Sequence, residues 1–325
     1  MSRTPILILR NVLRILSVGL MVLGTGMVSG QNYPNKPIRI VVPPPGGVGD
    51  FLARLIAQGI SGPLGQPVII DNRPGTISGE IVAKAAPDGY NLLLSGNTLW
   101  IAPLTRDSNP YDPVRDFSPI TLAVSSPNIL VLHPSLPVNS VKELIALAKA
   151  RPGELNYGSG ATGGSPHLAA ELFNIMARVK IVRIPYKGGG ALLNAVIGGQ
   201  VQLMFAIAGT VTPYLKFDKL RALAVTSSQP SALAPGLPTV AASGLTGFET
   251  SEIIAIFAPA KTPAALIDHL NNEIVGVLKR ADVKEKVFNA GSEVIGSSPG
   301  QLAVAMKSEI DRMGKVIKQA GIKAD

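Results

Sequence analysis

The residues best suited to chemistry cluster in one stretch, Tyr157-Gly158-Ser159-Gly160-Ala161-Thr162-Gly163-Gly164-Ser165-Pro166-His167. Hydroxyls, a phenol and an imidazole are spread among glycines, so bare backbone amides and side-chain donors lie together. Ser165-Pro166 reads as a helix start, with Ser165 as N-cap and Pro166 in the first turn, where its missing N–H is no loss. Such a loop suits an anion, because the first amides of a helix lack intrahelical acceptors. A second turn of this kind, Pro43-Pro44-Pro45-Gly46-Gly47-Val48-Gly49-Asp50, precedes another helical pattern. Asp50 reads two ways, as a helix N-cap or as an acceptor for a ligand's amino or hydroxyl group. Ser95-Gly96-Asn97-Thr98 and Pro185-Tyr186-Lys187-Gly188-Gly189-Gly190 are further loops of small and polar residues. Lys187 there is either a solvated charge or the counter-charge to a ligand acid.

Reactive chemistry finds little support. Gly158-x-Gly160-x-x-Gly163 matches the dinucleotide fingerprint, which also requires an acid about twenty residues later for the ribose. That region reads Arg178-Val179-Lys180-Ile181-Val182-Arg183, with no acid, so no nicotinamide and no other cofactor is expected. The three histidines are His133, His167 and His269, and no H-E-x-x-H, G-x-S-x-G or phosphate-loop motif occurs. His167 and Glu171 stand one helical turn apart, but no second pair shares their spacing, so no metal site is expected. A hydrolase remains as an alternative, combining Ser159 or Ser165 with His167 and a remote acid. Serines so close to a helix start usually serve the backbone instead. No catalytic residue is assigned, and His167 is expected to be a neutral supporting residue.

Composition agrees. The 325 residues are 46% hydrophobic and 16% charged, with no cysteine, so disulfides and thiolate chemistry are excluded. Arg3, Arg10 and Arg14 precede the apolar run Ile15–Leu23 and the small-residue end Val28-Ser29-Gly30, the order of a secretory signal. That run is short for a membrane span, which needs ~20 residues. Residues 1–30 are therefore expected to be a signal peptide, with the exported chain starting near Gln31. Without the three arginines, 27 Lys+Arg face 21 Asp+Glu, a charge of about +6. The basic residues are scattered singly, which favours small anions and gives no nucleic-acid footprint.

The elements that must carry these loops alternate. Pro37–Pro43, Val68–Asp71 and Asn91–Ser95 read as buried strands, with helices after Asp50 and from Gly79 to Ala86. Ile120–Val124 and Asn128–His133 read as two strands, and Ser140 caps the helix Val141–Lys149. Leu155–Tyr157, Lys180–Tyr186, Val201–Ala206 and Leu220–Thr226 read as strands, with helices Leu168–Met176 after the first loop and from Gly190 to about Ile197 after the fourth. Glu252–Ala258 is a long strand, and helices Pro263–Lys279 and Pro299–Gln319 end the chain. Alternation predicts largely parallel sheets with covered faces. Two units are expected, one from residues 31–125 and 252–325, the other from 126–251. Ligands of open α/β sheets bind outside the carboxyl ends of the strands, where the four loops lie, two from each unit.

The order of short motifs is similar to a known family. Tyr33-Pro34-x-Lys36-Pro37-Ile38, Val42-Pro43-x-Pro45-Gly46-Gly47-x-x-Asp50, Asp71-Asn72-Arg73-Pro74-Gly75 and Ala86-Pro87-Asp88-Gly89-Tyr90 come first. Tyr111-Asp112-Pro113, Tyr157-Gly158-Ser159, Pro185-Tyr186-Lys187-Gly188-Gly189, Gly198-Gly199-Gln200-Val201, Arg221–Thr226, Leu237-Pro238-Thr239 and Ala258-Pro259 follow. In this order they resemble the Bug family, periplasmic substrate-binding receptors of tripartite tricarboxylate transporters. Asp218 stands at a turn position where the family usually has glycine. The resemblance implies a two-domain type II periplasmic binding protein (Venus flytrap), α/β, each domain a mixed, mainly parallel sheet flanked by helices. It implies a monomer without enzymatic activity that holds a small organic acid (a di- or tricarboxylate, an acidic amino acid or an aromatic acid) for the membrane subunits of a transporter. A sensor subunit for a membrane signalling protein is the alternative. The ligand-binding residues expected on this basis are Pro45, Gly46, Gly47, Asp50, Asn97, Thr98, Ser159, Ala161, Thr162, Gly163, Ser165, His167, Tyr186, Lys187, Gly188 and Phe205.

Overall fold

The computed structural model describes residues 33–45, 47–215 and 217–323. The expected signal peptide and Gly46 lie outside the described residues. Contacts divide the chain after Asn35, and Lys36–Asp325 forms the unit that carries all the secondary structure described below.

Strands β1 (Ile38–Val42), β2 (Val68–Asn72) and β3 (Asn91–Gly96) are parallel, with β1 between the other two. Helix α1 (Val48–Leu64) follows β1, and buries Leu52, Ile56 and Ile60 along one face before Gly65, at φ +64°, ends it. Helices α2 (Gly75–Ala83) and α3 (Thr98–Thr105) follow β2 and β3. The second group holds β5 (Asn156–Ser159), β6 (Val182–Pro185) and β7 (Leu203–Ile207), also parallel. Their helices are α5 (Ser165–Ala177), α6 (Gly189–Ile197) and α7 (Ala208–Leu215), and α4 (Val141–Ala150) precedes β5.

One strand joins the groups. The two strands expected at 120–133 are a single run, β4 (Phe117–Leu132). Its Phe117–Pro127 part pairs antiparallel with β9 (Ser251–Pro259), and its Asn128–Leu132 part with β7 and β8 (Arg221–Val225). Ser125-Ser126-Pro127 looks like a strand end in sequence. The strand instead changes partners there, and Pro127, which has no N–H to donate, falls at the changeover. The sheet order is β2-β1-β3-β9-β4-β7-β5-β6, with β8 and β10 (Glu293–Val294) also on β4. The sheet is thus mixed, parallel within each group and antiparallel along β4 and β9, which tempers the expectation of mainly parallel pairing.

Helices α8 (Ala264–Leu278), α9 (Ala281–Asn289) and α10 (Pro299–Ala320) complete the chain. Ser298 and Gln301 form a capping box that starts α10, each side chain taking up the other's free backbone amide. Helix α8 packs on α1 and β4. By contrast, α10 packs on α3, α5 and β4, so it touches helices of both groups. The main apolar cluster follows it, from Trp100, Phe117 and Phe257 to Phe173, Phe205 and Phe248. A second cluster, including Ile129, Leu192, Val196 and Met204, lies under α6 and α7. Asp218 adopts φ +54°, the left-handed conformation that explains a usual glycine at that turn.

Candidate functional site

The loops expected to carry the site all follow carboxyl ends of parallel strands. Pro43–Pro45 follows β1, Asn97 follows β3, Gly160–Gly164 follows β5, and Tyr186–Gly188 follows β6. The β5 loop touches the first group, since a β-carbon on Gly163 would lie 3.4 Å from Thr105 Cγ2 and 3.6 Å from Ile101 Cγ2 of α3. A cavity of about 600 Å³ lined by Pro134, Leu215, Arg221 and Leu237 is elsewhere. It adjoins the amino-terminal end of β8, away from these loops.

The organiser of the β5 loop is Arg183 on β6, which sequence reasoning used only to exclude a ribose acid. Its Nε donates to Ser159 Oγ at 2.7 Å, one terminal nitrogen to Thr162 Oγ1 at 3.2 Å, and the other to Gly160 O at 2.9 Å. Ser159 is fully buried, and its hydroxyl braces the loop. The parallel register sets Arg183 beside Tyr157, one strand away, which is why the guanidinium can reach the loop that follows. Arg183 was findable as a cation one position before Ile184-Pro185, but only strand pairing shows what it holds.

The start of α5 differs from the capped turn expected. Gly164 is the N-cap, without a side-chain cap bond, and Ser165 is the first helical residue. Ser165 turns inward, its hydroxyl accepting from Asn128 Nδ2 at 2.8 Å. His167 is buried, and its Nδ1 accepts the Gly163 N–H at 3.0 Å. The ring proton therefore sits on Nε2. Burial first, then the Arg183 charge, depress the His167 pKa to about 4, so the imidazole is neutral at pH 7. Tyr157 stacks on it and donates to Glu171, and burial together with that bond raises the phenol's pKa. Gly163, at φ +76°, presents its amide to His167.

The first-group residues are similarly committed. Helix α1 starts after Gly47, so Asp50 is a first-turn acid and not the cap. It accepts from Asn72 Nδ2 at 2.9 Å and pairs with Arg54 at 3.0 Å, while Asn72 also donates to Pro43 O at 2.9 Å. Asp50 and Asn72 thus fasten the β1 loop. Asn97 is buried, with Oδ1 accepting from Ile253 N at 2.6 Å and Nδ2 donating to Ser251 O at 3.1 Å and to Glu309. Trp100 Nε1 donates to the other oxygen of Glu309 at 2.9 Å. Burial raises the Glu309 pKa, and the two donors oppose that rise.

Of the remaining expected residues, Pro45, Gly47, Thr98, Ala161, Lys187 and Gly188 are exposed at the loops, and Thr162 is half-buried under Arg183. Tyr186 is half-buried, its ring 3.4 Å from a β-carbon position on Gly158. Phe205 is a correction. It is 1% exposed between Phe173 and Phe248, so it packs the core and does not line the site. Among the described residues no group of three or more His, Asp or Glu is placed to hold a metal.

Residues 52–322 match the family model for the tripartite tricarboxylate transporter family receptor. The chain belongs to this receptor family. Among its relatives, Bordetella pertussis BugT is 36% identical, with 96% of this chain and 99% of BugT covered. Among solved structures, R. palustris Rpa4515 with adipate is 36% identical at a TM-score of 0.77, covering 90% of this chain and 99% of that one. Rhodopseudomonas palustris MatC with bound malate is 29% identical at a TM-score of 0.73, covering 88% and 100%. Periplasmic binding protein BugD is 31% identical at a TM-score of 0.73, covering 90% of this chain and 100% of that one, and the fold shared with these structures is the two-domain type II architecture. Among its described residues no helix is long and apolar enough to cross a membrane.

Proposed function

We propose that this receptor is periplasmic and captures a small organic carboxylate between its two groups of strands, then delivers it to the membrane subunits of a transporter. On this reading the lobes are residues 31–125 with 252–325, and 126–251, and residues 1–30 direct export. The observation that carries it is the Arg183-braced loop before α5, facing α3. A guanidinium beside a helix start gives a local positive field without a mobile side chain, the environment a carboxylate favours. Solved relatives hold adipate and malate, which supports the carboxylate class.

The receptor is not an enzyme on this reading. Within residues 157–167 the serine hydroxyls meet Arg183 and Asn128, and His167 Nδ1 meets a backbone amide, so no serine–histidine pair forms. Thermal-shift and calorimetric titration of the purified protein with adipate, malate, aspartate, glutamate and benzoate tests the proposal. A ligand at 100 times its Kd adds ~2.7 kcal/mol of stability. Silence across the whole panel, or turnover of an ester panel, would overturn it.

A further inference from the structure

The start of β9 carries a carboxyl that the loops above do not use. Glu252 faces Ser126 in the β4–β9 ladder, and its Oε1 lies 2.9 Å from a β-carbon position on Gly96, the last residue of β3. It therefore sits against the carboxyl end of a parallel strand, where open α/β sheets bind ligands. Asn97 clamps the backbone on both sides of it, through Ser251 O and Ile253 N. The Glu252 side chain makes no hydrogen bond or ion pair among the described residues. The charged group facing it is another carboxyl, Glu309 of α10, already bonded to Asn97 and Trp100. Arg312 of α10 pairs with Glu249 instead.

A second observation points to a ligand. Thr250 Oγ1 and Asn128 Oδ1 are buried without partners, although their residues are only 4% and 0% exposed. Buried polar atoms are normally bonded to protein or to water, so these two mark polar ground that a bound ligand or its water can complete. Thr226 ties these residues together, its hydroxyl accepting from Asn128 N at 2.8 Å and donating to Thr250 O at 2.7 Å. Asn128 Nδ2 then reaches Ser165 Oγ at the start of α5. Polar groups thus run through successive residues from Glu252 and Thr250 to Asn128 and Ser165, linking the end of β3 to the Arg183 loop.

We propose that Glu252 selects the ligand, donating its proton to the far carboxylate of a linear dicarboxylate whose near carboxylate faces the start of α5, so that binding takes up a proton. The proposal rests on the receptor reading above. Two ionised carboxylates repel at contact, whereas a carboxyl and a carboxylate share a hydrogen bond. Glu252 is half-buried, and its lost hydration, then the Glu309 carboxyl, push its pKa up to about 7, which an approaching anion raises further. Above that range the proton must be supplied for binding, and affinity falls by up to ~10-fold per pH unit.

Calorimetric titration of the purified protein and of Glu252→Gln with adipate, at pH 6 to 9 in two buffers of different ionisation enthalpy, tests this. The wild-type Kd should rise steeply from pH 7 to 9, with buffer-dependent heat showing proton uptake. Glu252→Gln, whose amide also donates, should bind within a few-fold of wild type at pH 6 and lose both effects, while its Trp100 fluorescence confirms a native fold. Adipate binding that is flat with pH in the wild type, or equally steep in the variant, overturns the role of Glu252 and leaves the receptor reading intact. An ammonium ligand such as glutamate that binds more tightly as pH rises, and fails in the variant, also overturns it. No binding of any acid at any pH removes the receptor reading together with the proposal.

Discussion

Replacing Arg183 by methionine keeps most of the side-chain stem and removes three donors at once, to Ser159 Oγ, Thr162 Oγ1 and Gly160 O. Hydrogen bonds from a charged group contribute ~1.5–3 kcal/mol each when their partners are left buried. Arg183 is half-buried and its three bonds share one orientation, so ~3 kcal/mol in total is the reasonable sum. For the unit Lys36–Asp325, with an unfolding entropy of ~2.1 cal/mol/K per residue, that lowers Tm by ~5 °C. The loss should be local first, with faster amide exchange at residues 159–163 than in β1 or β9. The variant also removes a positive charge that helps hold His167 neutral, so the imidazole pKa should rise from about 4 while staying depressed, because burial is the larger cause. Differential scanning calorimetry, hydrogen exchange and imidazole NMR read these three effects. A Tm within 2 °C of wild type, with unchanged exchange in the loop and an unmoved His167 resonance, would refute the bracing role.

Other predictions follow from the same contacts. His167 has a folded pKa below its ordinary value, so the unfolded chain binds its proton first. Its contribution is therefore intact above pH 6.5 and lost as pH falls towards about 4, a slope that urea titrations at pH 7 and 5 should show and His167→Gln should flatten. Glu309→Ala leaves the buried Trp100 N–H without an acceptor and frees one Asn97 bond, at a cost of ~2–4 kcal/mol. Glu309→Gln, which keeps an acceptor, should cost less, and the single tryptophan reports both in a denaturant melt. Gly59→Ala in α1 would put its methyl 2.5 Å from both Val277 methyls of α8. It should destabilise by ~1–3 kcal/mol despite alanine's better helix propensity, and a gain in stability would show that the α1–α8 contact is loose.

How much was legible depended on sequence distance. The glycine loops, their place between strand and helix, and the long β9 are written in local spacing, and the structure puts them where alternation predicts. Helix α3 was missed because Trp100–Pro103 offers no polar face and lies inside a run of apolar residues. Helix α7 was missed because its Gly209, Thr212 and Pro213 resemble a turn. Ser165 reads as a cap in sequence and Asp50 as a cap or a ligand acceptor, but both helices start earlier with a glycine cap, so the two side chains are turned to Asn128 and Asn72. Phe205 is expected at the site only from the family resemblance, while its neighbours Phe173 and Phe248 hold it in the core.

The sequence alone determined the alternation of strands and helices and the four small-residue loops at their junctions, because backbone preference and apolar period act over a few residues. Which polar groups remain available at those loops was decided only by tertiary structure. Arg183 reaches Gly160 across a strand pair, Asn97 reaches Glu309 across 212 positions, and Glu252 meets Gly96 because β9 lies beside β3. A side chain's partners follow from which strands are neighbours in the sheet, and that order, β3-β9-β4, is set by burying apolar faces against α10 and α1. The anion-binding look of residues 157–167 was thus local, whereas the buried braces behind it and the Glu252 carboxyl beside Gly96 belong to the fold.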